Sequence, residues 1–102
     1  MFEFLKNLFA PGTDFKSILS QGGIIIDVRT QQEFNAGHIN GARNIPLDQI
    51  RSKVTELKKI GKPVITCCRS GARSGMAKSQ IAAAGIEVYN GGAWTSLNNK
   101  IK

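Results

Sequence analysis

The chain has 102 residues and a formal net charge of +7, with 41% hydrophobic and 21% charged residues. That is the make-up of one soluble globular domain with enough chain to bury a core, and it excludes a disordered tail or a disulfide-stapled miniature. The two cysteines, Cys67 and Cys68, are adjacent; with a single histidine they are too few and badly spaced for a structural zinc, and no cofactor is expected.

The first nine residues place Phe2, Leu5, Leu8 and Phe9 at helical spacing, with Glu3, Lys6 and Asn7 on the other side. Ala10-Pro11-Gly12 then breaks the pattern. Residues 1–12 are expected to form an amphipathic helix and linker, and residues 13–102 the domain. The helix is too short to cross a bilayer, so it docks on the domain itself or touches a partner or membrane surface. Glu3 and Lys6 interrupt any signal-peptide core, and two adjacent reduced cysteines fit a reducing, cytoplasmic compartment.

Four buried strands are predicted, over residues 24–28, 42–45, 64–67 and 87–89. Helical stretches lie between them, and that alternation argues for a parallel sheet covered on both faces. Thr30-Gln31-Gln32-Glu33 has the spacing of a capping box and starts a short helix. After Pro46, the residues Leu47, Ile50, Val54 and Leu57 form one apolar stripe facing the sheet. A further helix is predicted over 74–84, with Gly85 at its C-terminus.

Between the third strand and that helix lies Cys68-Arg69-Ser70-Gly71-Ala72-Arg73-Ser74. A cysteine leaving a buried strand into a short polar loop and a helix makes a cradle for an anion. Backbone N–H groups converge there, and the helix N-terminus adds partial positive charge. With two arginines nearby the thiol is expected to ionise easily; thiols in such surroundings have pKa values of roughly 3.5–7.5, against about 8.5 when free. Cys68 is read as a nucleophile. Strand ends at Val28 and Cys67 bring Asp27, Arg29 and the loop to one rim, where open parallel sheets bind ligands.

Four segments in order resemble the rhodanese (thiosulfate sulfurtransferase-like) family across residues 14–97. They are Ile26-Asp27-Val28-Arg29-Thr30 with Glu33-Phe34; Gly37-His38-Ile39-Asn40-Gly41-Ala42-Arg43-Asn44-Ile45-Pro46; the Cys68 loop; and Tyr89-Asn90-Gly91-Gly92-Ala93-Trp94. The resemblance implies an α/β fold, a parallel sheet of about five strands with helices on both faces. It also implies transfer of a sulfane sulfur through a cysteine persulfide, with Cys68 as carrier and residues 69–73 around it. The six residues from Cys68 to Arg73 have the sulfurtransferase length; the related dual-specificity phosphatases carry one residue more. Ala72 departs from the polar residue, commonly Asn, of many relatives, and the Cys67 doublet is unusual.

The roles follow. The N–H groups of residues 69–74 hold the persulfide charge, and Gly71 allows positive φ. Arg69 either steers an anionic donor or is merely solvated. Arg73 is structural, bonding loop carbonyls or a carboxylate behind the loop. Asp27, Arg29 and Glu33 form a supporting salt-bridge group. Cys67 points into the core by strand alternation, the alternative being a resolving thiol. His38 is structural rather than a general base, and Trp94 packs near the rim. Expected partners are a small anionic donor, thiosulfate or a persulfide, and a thiol or cyanide acceptor, with a protein acceptor as a further option. The alternative function is a sulfur-relay or protein-binding module with little turnover on small donors; phosphatase or arsenate-reductase chemistry is disfavoured by the short loop. The lysines are scattered and no aromatics interleave with them, so the basic surface attracts small anions rather than nucleic acid.

Overall fold

The computed structural model describes residues 12–102, so the expected N-terminal helix lies outside the described residues. Asp14 accepts a hydrogen bond from the Ser17 N–H and caps helix α1 (Phe15–Ser20). Strand β1 (Ile24–Asp27) follows, then helix α2 (Gln31–Ala36) with the predicted capping box formed by Thr30 and Glu33. Strand β2 (Arg43–Asn44) leads through a 3₁₀ turn (Leu47–Gln49) into helix α3 (Ile50–Ile60). Strand β3 (Val64–Cys68), helix α4 (Ala72–Ala83), strand β4 (Val88–Ala93) and helix α5 (Trp94–Lys100) complete the domain.

All strands are parallel, in the order β2-β1-β3-β4. Side-chain alternation splits the core between the two faces. Ile26, Val28, Val64 and Cys68 pack with Ile50 and Leu57 of α3 and Ala77 and Ile81 of α4. Ile25, Ile65 and Cys67 pack with Phe15 of α1 and Leu97 of α5. Helices cover both faces, as expected.

The sheet has four strands among the described residues, not the five the resemblance implied. Strand bounds also differ. β2 is two residues long because it is an edge strand pairing only with Ile26 and Asp27, and Pro46 beyond it has no N–H to donate. β4 continues past Tyr89 through both glycines, because a bulge lets it: Thr66 pairs with Asn90, yet Cys68 pairs with Ala93. Gly91 fits only without a side chain, since a Cβ there would stand 2.8 Å from the Thr66 carbonyl oxygen, and Gly92 has φ +76°. Asn90, paired with Thr66 just ahead of the bulge, lies on the face of Val88 and Cys68, beside the loop. Helix α5 was not predicted; Leu97, buried against Ile65 and Cys67, holds it to the sheet.

Candidate active site

β3 extends one residue further than expected and includes Cys68 itself, at the carboxyl end of an inner strand. The chain then turns through Arg69, Ser70 and Gly71. Gly71 has φ +101°, the left-handed conformation its position called for. α4 begins at Ala72, two residues before the predicted start. Ala72, Arg73 and Ser74 are therefore the first turn of a helix, and the Ser74 N–H is directed at the sulfur.

The Cys68 sulfur is buried. The Gly71 N–H donates to Sγ at 2.9 Å, and the Ser74 hydroxyl lies 3.4 Å from it. Burial alone pushes the thiol up, but hydrogen bonds from the Ser74 hydroxyl and from the N–H groups of Ser74, Gly71 and Ser70 together outweigh it. The net pKa of Cys68 lies below the ordinary thiol value. The loop N–H groups act as expected, but the arginine pair, expected to add full charge beside them, is placed differently. Arg69 is exposed. Arg73 is drawn aside by Glu33, its Nη1 2.7 Å from Oε1 and its Nη2 3.0 Å from Oε2. Hydrogen bonds, more than the arginine charges, account for the lowered thiol.

Asp27, Arg29 and Glu33 do not share one salt bridge. Asp27 and Arg29 form a buried bidentate pair, with contacts of 2.8–3.1 Å. The rest of the Arg29 fork donates to the carbonyls of Glu33 and Gly37, at 3.2 and 2.7 Å. Its guanidinium stacks over Trp94, 4.8 Å from the ring centre, so Trp94 supports this arginine. The Glu33 carboxylate belongs to Arg73, whose guanidinium holds it well below its usual range, at about 2. Two ion pairs thus meet at Glu33, one through its backbone and one through its side chain.

Cys67 faces the opposite side of the sheet, and burial pushes its thiol up to about 12. His38 is exposed; its Nδ1 donates to the Phe34 carbonyl at 2.7 Å and its ring stacks on Phe34. Neither contact reaches the Cys68 loop. Arg73 also lines a cavity of about 530 Å³ with Val28, Thr30, Leu47 and Arg51, on the α3–α4 face where Cys68 points. Among the described residues, no three metal-ligating side chains come together.

Sequence reasoning missed Asn90. Its Nδ2 donates to the Gly71 carbonyl at 3.2 Å, and its Oδ1 accepts from Ser74 Oγ at 2.7 Å and from the Gly92 N–H at 2.9 Å. Ser74 was read only as a backbone donor, yet its side chain joins Cys68 to Asn90. The clue was the polar residue ahead of a glycine pair, but only the pairing of β4 with β3 shows that it meets the loop.

A parallel α/β sheet with a hydrogen-bonded cysteine between an inner strand and a helix N-terminus defines a class of protein also indicated by sequence comparison. The family model for the rhodanese-like domain matches residues 12–96. The chain belongs to that family.

Its relatives include YqhL of Bacillus subtilis, an uncharacterized protein 42% identical over 80 residues, covering 76% of this chain and 63% of YqhL. The thiosulfate sulfurtransferase PspE of Escherichia coli is 31% identical over 91 residues, covering 87% of this chain and 88% of its own length. Among solved structures, a rhodanese with anions from E. coli superposes with a TM-score of 0.67 at 30% identity, covering 74% of this chain and 91% of that one. The chain spans less than two thirds of the length of some relatives, 63% for YqhL and 62% for thiosulfate sulfurtransferase 18 of Arabidopsis thaliana.

Proposed function

We propose that the protein is a sulfurtransferase that carries a sulfane sulfur as a persulfide on Cys68. The observation that carries this reading is the setting of the sulfur, with the Gly71 N–H 2.9 Å from Sγ and the Ser74 hydroxyl at 3.4 Å. Donors fixed around a sulfur favour its anion, and the thiolate is the attacking form. The name of PspE, thiosulfate sulfurtransferase, supports thiosulfate as a donor.

The Cys68 thiolate attacks the outer sulfur of thiosulfate. The S–S bond of the donor breaks, sulfite leaves with the bonding pair, and Cys68 becomes a persulfide anion. An acceptor such as cyanide then attacks the outer sulfur, thiocyanate departs, and the Cys68 thiolate is restored. The charge balances in each step and no base is needed, because the nucleophile starts ionised. Residues 69–74 form the anion-binding loop. The N–H groups of Ser70, Gly71 and Ser74 stabilise the anionic sulfur, and exposed Arg69 attracts the donor. Arg73, with Glu33, braces the loop; Asp27 and Arg29 brace the rim behind it.

The test is to incubate the protein with thiosulfate, locate any added sulfur by mass spectrometry, and add cyanide. One sulfur on Cys68, with thiocyanate lost in Cys68→Ser and kept in Cys67→Ala, is the expected result. If thiosulfate leaves Cys68 unmodified, the small-donor reading fails. Glutathione persulfide and protein persulfides are then the donors to try, as a relay module requires.

A further inference from the structure

The Asn90 amide has three partners, and they leave it one orientation. Its Nδ2 donates to the Gly71 carbonyl, and its Oδ1 accepts from the Gly92 N–H. Turned over, the amide would set its NH₂ against an N–H and its oxygen against a carbonyl. The oxygen therefore faces Ser74 Oγ, 2.7 Å away, and takes the single hydroxyl proton. That hydroxyl is also 3.4 Å from Cys68 Sγ and 3.1 Å from the Gly71 carbonyl oxygen. One proton faces three acceptors.

We propose that Asn90 is a positioning residue that competes with the Cys68 sulfur for the Ser74 proton, holding the hydroxyl in reserve until the sulfur is charged. This rests on the reading of Cys68 as the nucleophile. In the thiol state the S–H donates to Ser74 Oγ, and the Ser74 O–H donates to Asn90 Oδ1. On ionisation the thiol proton leaves to solvent, and the Ser74 O–H turns to the thiolate, the stronger acceptor. The Gly92 N–H still bonds Asn90 Oδ1, so the turn leaves no orphaned acceptor. When the sulfur gains an outer atom and the charge moves outward, Ser74 returns to Asn90. Asn90 thereby raises the thiol pKa above the value Ser74 alone would give, and resets the site between the two half-reactions.

The other ionisable groups on the neighbouring elements are exposed Arg69 beside it, Arg73 of α4 paired to Glu33 of α2, and, across the sheet, Cys67 of β3 with Asp27 of β1 paired to Arg29. All are common to the proteins to be compared, so their effects cancel. The test is a double-mutant cycle of the full chain, Asn90→Ala and Ser74→Ala singly and together, titrating Cys68 by its thiolate absorbance. Cys67, pushed up to about 12, stays silent below strongly alkaline pH.

With Ser74 present, Asn90→Ala is expected to lower the Cys68 pKa by about 0.5–1 unit, the size of one hydrogen bond. In the Ser74→Ala background that lowering should vanish. An equal shift in both backgrounds, or a rise with Ser74 present, overturns the proposal and leaves Asn90 a brace for the loop. Asn90→Val, which suits a strand and also lacks the acceptor, runs through the same cycle if the alanine variant does not fold. The titration needs no sulfur donor, so its outcome is independent of whether thiosulfate is a substrate.

Discussion

Cys67 and Cys68 are joined by one peptide bond and lie on opposite faces of the sheet, in two separate cores. Cys68 meets the loop N–H groups and the Ser74 hydroxyl; Cys67 meets apolar side chains and the nearby Asp27. One thiol is pulled down and the other pushed up to about 12. Alkylation with iodoacetamide between neutral and mildly alkaline pH should therefore give a single adduct, on Cys68. Peptide mapping checks this; an adduct on Cys67 at neutral pH would mean that the strand end opens. Cys67→Ala should keep the Cys68 reactivity and lose about 1 kcal/mol of stability from the small void it leaves.

Arg29 carries more of the rim than its surface-like residue type suggests. Replacing it with alanine would leave the buried Asp27 carboxylate without its bidentate partner and the Gly37 carbonyl without its donor. The expected loss is about 3–5 kcal/mol by chemical denaturation, as for other broken buried pairs. Asp27→Asn in the Arg29→Ala background removes the stranded charge and should recover part of the loss. No recovery would count against the buried-charge explanation.

Glu33 gives the domain a defined acid response. Its folded pKa is lowered from the ordinary 4.5 to about 2, first by its hydrogen bond to Arg73. A carboxylate with a lowered folded pKa contributes stability that is complete above the unfolded value and lost as pH falls through the folded one. Glu33→Gln keeps the capping-box geometry but loses the charge. The thermal midpoints of wild type and Glu33→Gln should differ at neutral pH and converge as pH falls from 4.5 to about 2. A constant difference across that range would assign the effect to something other than the Arg73 pair.

Gly91→Ala tests the bulge. Its Cβ would stand 2.8 Å from both the Thr66 carbonyl oxygen and Leu97 Cδ2, and 2.9 Å from Ile65 Cγ2. A backbone oxygen cannot move aside as a flexible side chain can, so β4 must shift. A stability loss of about 1–3 kcal/mol is expected. The Cys68 pKa should change with it, because Gly92, next in the bulge, donates its N–H to Asn90. A destabilised protein with an unchanged thiol titration would separate the bulge from the site.

Local chemistry made much of this protein legible in its sequence. The capping box at Thr30 and Glu33, the apolar stripe of α3 and the runs around Ile26 and Ile65 are set by residues within a turn or two of one another. The cysteine at a strand end, followed by the Gly71 turn, was legible for the same reason. Side-chain alternation along a strand was enough to send Cys67 away from Cys68.

What only the tertiary structure decided are contacts between distant segments. Glu33 and Arg73 stand 40 positions apart, so nothing local indicated which carboxylate this arginine would serve. Asn90 lies 16 positions beyond Ser74 and reaches it because β4 pairs in parallel with β3, opposite Thr66 and on the face of Cys68. Sequence fixes which groups are available and which face of an element they occupy, since those follow from short-range backbone geometry. Which donor meets which acceptor is set by strand register and bulges, which depend on how the whole sheet packs.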